Sequence, residues 1–138
     1  MSRINYARPF TENVKGVLKA RFRLDPAGNP VCELNDDGDK VFTIDLSLEA
    51  PTAKTIDSVS YFMDDPTYSH DPEAVSIDRD NDFTEEIESY GNFEVVVTVQ
   101  IGRHIYKQRA WLSNLLEAGH ETDMTPAIRQ AIEYIENH

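Results

Sequence analysis

Long apolar runs and cysteines are what this sequence most lacks. No apolar stretch approaches the roughly 18 residues of a membrane-spanning helix, and Met1 to Arg8 contain no apolar h-region. We therefore expect no membrane segment and no cleaved signal peptide. Cys32 is the single cysteine, which excludes a disulfide within the chain and agrees with a reducing, cytoplasmic location.

Catalytic and cofactor-binding motifs are also missing. The sequence has no phosphate loop, no dinucleotide fingerprint and no nucleophile elbow. Cys32 has neither a glycine elbow nor a helix start beside it that would activate a thiol. Four histidines are present without the spacing of metal ligands: His70, His104, His120 and His138. We predict that the protein is not an enzyme and has no cofactor.

The segment Asp78 to Asp82 places carboxylates at alternate positions, as the first half of a calcium loop does. An EF-hand loop also needs glycine at its sixth position and glutamate at its twelfth. Those positions hold Phe83 and Ser89 here. The EF-hand motif therefore fails and we predict no metal centre, although a weak surface calcium site stays open.

Positive charge is scarce, and the net charge is −12. Residues 64–94 contain eleven acidic side chains and one basic one, Arg79, whereas residues 1–24 contain six basic side chains and one acidic one, Glu12. An acidic chain repels phosphate backbones, so we expect no nucleic-acid partner. A cationic partner suits this surface better. The alternative that the acidic side chains only solvate the loops stays open.

Strict alternation of apolar and polar residues dominates the chain. It is clearest at Phe93, Val95, Val97, Val99 and Ile101, and it indicates a strand with one buried face. Shorter alternating segments predict further strands within 17–24, 30–34, 42–48, 59–63, 74–77, 83–87 and 104–112. In the last of them Ile105 is predicted to lie in the core, with Tyr106 and Trp111 as further candidates. Short strands at this spacing are typical of an all-β sandwich or small barrel.

The pattern changes to helical spacing at the end of the chain. Thr125 followed by Pro126 is a typical N-cap with proline at the first helical position. An apolar stripe follows at Ala127, Ile128, Ala131, Ile132 and Ile135. Residues 112–118 add a possible helical turn before it. The sequence leaves two roles open for the stripe, packing on the sandwich or docking on another chain.

The region around residues 55–101 resembles the YEATS domain, most closely its prokaryotic branch. The matching residues are Val59-x-Tyr61-x-Met63-Asp64-Asp65-Pro66-Thr67-Tyr68, Asp71-Pro72, Arg79, Phe83 and Tyr90-Gly91-x-Phe93. The resemblance implies an immunoglobulin-like β-sandwich. It also implies a non-enzymatic recognition or adaptor module, because eukaryotic members bind acylated lysine between aromatic side chains and prokaryotic members are associated with defence and signalling systems.

The resemblance also implies where a ligand would bind. Carried over by position, the aromatic slot is Tyr68 and Tyr90, with Thr67 and the backbone of Gly91 orienting the ligand. Either Asp64 or Asp65 stands where many eukaryotic members have a histidine, and Pro66 is an extra residue in that loop. A carboxylate there favours a cationic group at the rim, so the expected partner is a protein or peptide that offers either acyl-lysine or a cation.

These patterns divide the chain into a basic N-terminal arm (1–15), a YEATS-like sandwich (16–122) and a C-terminal amphipathic helix (123–138) that packs on the sandwich or extends from it. A second hypothesis needs no pocket. It treats the chain as a structural subunit that uses the helix and the basic arm as interfaces within a hetero-complex or homo-oligomer.

Overall fold

A computed structural model describes residues 16–50, 55–68 and 71–138 of the chain, and the predicted basic arm at 1–15 lies outside them. The described residues form eight strands and two α-helices. The strands are β1 (Val17–Phe22), β2 (Cys32–Leu34), β3 (Lys40–Glu49), β4 (Ser58–Asp64), β5 (Glu73–Ser76), β6 (Glu85–Ser89), β7 (Glu94–Ile101) and β8 (His104–Trp111), and the helices are α1 (Leu112–Gly119) and α2 (Pro126–Glu136).

The strands form two four-stranded antiparallel sheets. In the first sheet the long strand β3 pairs with β1 and β2 along one edge and with β6 along the other. The second sheet has the order β5-β4-β7-β8. This arrangement confirms the prediction of a mainly β fold built from two sheets.

The core is formed by the inward-facing side chains of both sheets. In β3 the buried residues are Phe42, Ile44, Leu46 and Leu48, and in β7 they are Val95, Val97 and Val99, as the period-two pattern predicts. The prediction that Ile105 lies in the core is wrong, since its side chain is 61% exposed. The register pairs Ile105 with the outward-facing Gln100, which leaves Tyr106 and Ala110 on the inner face of β8.

Helix α1 covers the outer edge of β1, which would otherwise present unpaired backbone groups. The guanidinium group of Arg21 donates to the carbonyl of Gly119 and pairs with Asp123 at 2.6 Å. The backbone N–H of Phe22 donates to Nε2 of His120 at 3.0 Å. The helix approaches so closely that a Cβ on Gly119 would lie 2.1 Å from the carbonyl oxygen of Ala20.

Helix α2 begins where the Thr125 hydroxyl accepts a hydrogen bond from the backbone N–H of Ile128. Its apolar stripe is buried within this chain at Ile128, Ala131, Ile132 and Ile135. Tyr134 extends to the first sheet, where its ring contacts Phe42 edge-on and its hydroxyl accepts from the backbone N–H of Lys40. The face that would dock on another chain is therefore occupied by the protein's own core.

His120 makes the contact between α1 and β1 sensitive to pH. Its side chain is fully buried, and because Nε2 accepts from Phe22, the proton resides on Nδ1, which faces Asp123 at 3.1 Å. Burial, and then the nearby Arg21 guanidinium, lower the pKa of His120, and the Asp123 carboxylate offsets part of that decrease. Protonation would also place two donors, Nε2–H and the Phe22 N–H, against each other.

We expect the free energy of unfolding to fall as the pH is lowered from 7.5 to 5.5. The folded-state pKa of His120 is below its unfolded value of about 6.5, so the unfolded chain binds the extra proton first. The stabilisation that neutral His120 provides is therefore complete above the unfolded pKa and is lost as the pH falls through the folded pKa. Urea unfolding at several pH values measures the slope, and His120→Gln, which does not titrate, should flatten it. Equal slopes for both proteins would contradict this role.

Candidate functional site

The loop that follows β4 is held in one shape by Asp65. Its Oδ1 accepts hydrogen bonds from both the backbone N–H and the hydroxyl of Thr67, at 2.9 and 2.8 Å, and its carbonyl accepts from the backbone N–H of Tyr68. This is an Asx turn, a local motif that aspartate forms readily. The Thr67 hydroxyl proton is therefore used within the loop, and its oxygen keeps its capacity to accept a hydrogen bond.

Tyr68 is anchored to the core at the end of this loop. Its ring packs edge-on against Phe93 with centroids 5.6 Å apart, and its hydroxyl donates to the carbonyl of Glu88 in β6 at 2.9 Å. Burial raises the pKa of the Tyr68 hydroxyl. The residue thus joins the loop after β4 to β6 and forms a fixed wall.

The loop between β6 and β7 carries the second tyrosine. Ser89 is buried and its hydroxyl lies 3.1 Å from the backbone nitrogen and 2.8 Å from the carbonyl oxygen of Gly91, which closes a tight turn. Tyr90 projects outward from this turn, and its side chain is 40% exposed. The two tyrosines therefore differ, because Tyr68 packs on the core whereas Tyr90 remains accessible.

Gly91 packs closely against His138, two residues after α2. A Cβ on Gly91 would lie 3.0 Å from the backbone carbonyl carbon of His138. The His138 ring in turn stacks on Tyr134 at 3.9 Å. The Gly91 N–H donates to the Ser89 hydroxyl, so this donor is used within the turn.

These loops border a cavity of about 340 Å³ that extends across the outer face of the first sheet. Outward-facing residues of β3 such as Val41 and Thr43, which alternate with buried Phe42 and Ile44, form its floor. The described residues that line it are Val31, Glu33, Leu34, Asn35, Val41, Thr43, Asp65, Thr67, Tyr68, Glu88, Ser89, Tyr90, Gly91, Asn92 and His138. A volume of this size is at the lower end of the range for small-ligand sites.

Five of the six residues selected from the sequence line this one cavity: Asp65, Thr67, Tyr68, Tyr90 and Gly91. Asp64 is not among the described residues that line it. The strand alternation places Asp64 on the outer face of the second sheet, where its carboxylate lies 3.9 Å from the guanidinium group of Arg109. A one-residue step along the chain thus separates the two aspartates onto different surfaces.

Sequence reasoning missed the part of the cavity that β2, β3 and β6 contribute. Glu33 is directly opposite Val41 in the ladder, and Glu88 is opposite Thr43, so both carboxylates lie on the outward face beside the tyrosine loops. Val41 is a single apolar residue at an outward position of β3, and isolated apolar surface residues are too common to indicate a site.

A second cavity lies on the other side of Tyr68 and Glu88. It is about 470 Å³ in volume, and Asp71, Glu73 and Glu86 contribute carboxylates to it. All three already have partners, since Asp71 accepts from the backbone N–H of Glu73 at 3.0 Å, Glu73 accepts from the Ser60 hydroxyl at 2.6 Å and Glu86 pairs with Arg23 at 2.8 Å. The two cavities together form an acidic tract on either side of Tyr68.

The segment with alternating carboxylates is a short turn. Arg79–Asn81 form one 3₁₀ turn, after which Asp82 and Phe83 adopt φ values of 52° and 54°, a region that residues other than glycine seldom occupy. The Phe83 ring is fully buried and its carbonyl accepts from the Tyr61 hydroxyl at 2.7 Å. Across the described ranges, no group of three or more His, Cys, Asp or Glu side chains is arranged to hold a metal ion.

Neither helix in the described part of the chain is long and apolar enough to cross a membrane. No family model matches the sequence, and no curated protein matches it either.

Proposed function

We propose that this chain is a non-enzymatic recognition module that binds a peptide side chain or a small ligand in the cavity between the Tyr68 and Tyr90 loops. The observation that supports this most is that residues chosen only for their likeness to the YEATS slot line a single cavity with an exposed aromatic ring. A concave site with one fixed aromatic wall, one accessible aromatic ring and a few polar groups is typical of ligand recognition.

The proposal also covers the fold family, the cellular location and the biological role of the domain. The domain is an immunoglobulin-like sandwich of the prokaryotic YEATS type, located in the cytoplasm, that serves as an adaptor in a defence or signalling complex. The resemblance over residues 55–101 supports the type, and the single cysteine, Cys32, is compatible with the location. The antiparallel two-sheet arrangement is compatible with the immunoglobulin-like class.

The proposal is tested with one short peptide that has neutral flanks and a single central lysine, prepared in unmodified, trimethylated, acetylated and crotonylated forms. Fluorescence anisotropy of labelled peptide measures binding to the full chain. We expect at least one form to bind with a Kd of about 100 µM or tighter, and none to bind the Tyr90→Ala variant measurably. Failure of every form would contradict the proposed recognition of a lysine side chain.

A further inference from the structure

We infer that the cavity selects an alkylammonium cation, such as an unmodified or methylated lysine side chain, over a neutral acylated lysine. The inference rests on the proposed function and specifies the ligand of the same site. It follows from how the hydrogen-bond donors and acceptors of the lining residues are used within the protein.

Four of the donors that could hold an acyl carbonyl are already engaged. The Thr67 hydroxyl donates to Asp65, the Gly91 N–H donates to Ser89, and the Tyr68 hydroxyl donates to Glu88. The side-chain amide of Asn92 donates to Ser113 at 3.0 Å. An acyl carbonyl that approached any of these four donors would have to break its existing bond, which carries a free-energy cost.

Acceptors and negative charge are abundant by comparison. Glu33 and Asp65 contribute two carboxylates to the lining, and none of the described lining residues is lysine or arginine. Asp65 uses only its Oδ1 in the Asx turn. An ammonium group offers donors alone, so it matches a lining of this kind.

The aromatic rings add to the same preference. A cation within about 6 Å of a tyrosine ring face is attracted by the negative potential of that face, and methylated ammonium groups are bound in this way between aromatic side chains. Both rings line the cavity, with Tyr68 fixed by its hydroxyl bond and Tyr90 exposed. Carboxylates and rings therefore favour the same class of ligand.

The acidic tract beyond Tyr68 extends the match to a ligand with more than one positive charge. Asp71, Glu73 and Glu86 continue the negative lining into the adjoining cavity. Two sources share this chemistry, a basic peptide and a free polyamine. The basic peptide is probed with the lysine peptide in two versions, with neutral flanks and with arginine flanks, and the polyamine with spermidine.

The experiment compares affinities for the four lysine forms and spermidine between the wild-type chain and the double variant Glu33→Gln with Asp65→Asn. The substitution Asp65→Asn keeps the Oδ1 acceptor of the turn while removing the charge. We expect wild type to bind the unmodified or trimethylated peptide about tenfold more tightly than the acetylated one. We expect the double variant to reduce this preference below about threefold.

A matched control removes the same net charge elsewhere. Asp80→Asn with Glu121→Gln alters one aspartate and one glutamate that are exposed and outside the cavity. This control should retain the wild-type preference, and loss of the preference in both variants would mean that only the net charge matters, which overturns the inference.

Each remaining outcome is decisive. Tighter binding of acetylated or crotonylated peptide overturns the cation assignment and leaves the proposed function standing. Absence of binding by all probes overturns both. Binding of spermidine without binding of any peptide supports the alkylammonium assignment and identifies the ligand as a free polyamine. Tighter binding of the arginine-flanked peptide than of the neutral-flanked one supports the same assignment and identifies the ligand as a basic protein segment.

Discussion

Replacing Tyr90 by alanine is expected to weaken lysine-peptide binding at least about 30-fold while lowering the melting temperature by less than about 3 °C. The binding loss is of the size found when a central aromatic contact of an interface is truncated. The small effect on stability follows from the exposure of the ring, because substitutions at exposed positions typically change the free energy of unfolding by about 0.5 kcal/mol or less. Anisotropy titration and thermal unfolding measure the two quantities on the same preparation.

Phe62→Ala is the matched control for this prediction. Phe62 is 39% exposed, close to the 40% of Tyr90, but it lies on the outer face of the second sheet, away from the cavity. It should lose little stability and no affinity. A fall of 10 °C or so in the melting temperature of Tyr90→Ala would contradict the description of Tyr90 as an accessible ligand contact, since a loss of that size requires a buried ring.

Tyr68→Ala is a poorer probe of recognition, for a reason that the structure supplies. Its ring packs on Phe93 and its hydroxyl is bonded to β6. Truncation would remove core contacts and leave the Glu88 carbonyl without that donor. A loss of binding in that variant would not separate a missing ligand contact from a displaced loop.

The substitution Gly119→Ala is expected to destabilise the fold by about 3 kcal/mol, or roughly 10 °C in melting temperature. An added Cβ would lie 2.1 Å from the backbone oxygen of Ala20, and a strand backbone cannot yield as a flexible side chain can. The helix would have to move away from β1, weakening the contacts of Arg21 and His120. The better helix propensity of alanine, about 1 kcal/mol, does not offset this.

Asn114→Ala provides the comparison on the same helix. Asn114 is exposed, so alanine there should leave the free energy of unfolding within about 0.5 kcal/mol of wild type or raise it slightly. Urea unfolding of the two variants measures the difference between them. If Gly119→Ala were as stable as Asn114→Ala, the close packing of α1 on the edge of β1 would be incorrect.

Local sequence patterns were sufficient to locate the strands but not to predict which strands pair with one another. The alternation of apolar and polar residues located β3, β4 and β7 and their inward-facing residues, because a strand with one buried face has an apolar residue at every second position. It could not tell that Glu33 and Glu88 flank the tyrosine loops, since their positions depend on which strands pair and in what register. Those are long-range contacts without a local signature.

The same limit explains one surprise at the site and another in the second sheet. The backbone of Gly91 was predicted to orient a ligand, yet Gly91 packs closely against His138. The two residues are 47 positions apart in the chain, and no local pattern predicts such a contact. Ile105 was assigned to the core because it is apolar, whereas the hairpin register turns it outward. Side-chain character alone does not decide which face of an edge strand is buried.

The most direct test of the account is an NMR titration of the full ¹⁵N-labelled chain with the unmodified lysine peptide. We predict that the largest amide shift changes occur at Glu33, Thr67, Tyr90 and Gly91, on the separate elements that border the one cavity. Shift changes concentrated at Phe62, Val96 and Ile105, on the outer face of the second sheet, would contradict the claim that the two tyrosine loops and the first sheet form the binding site.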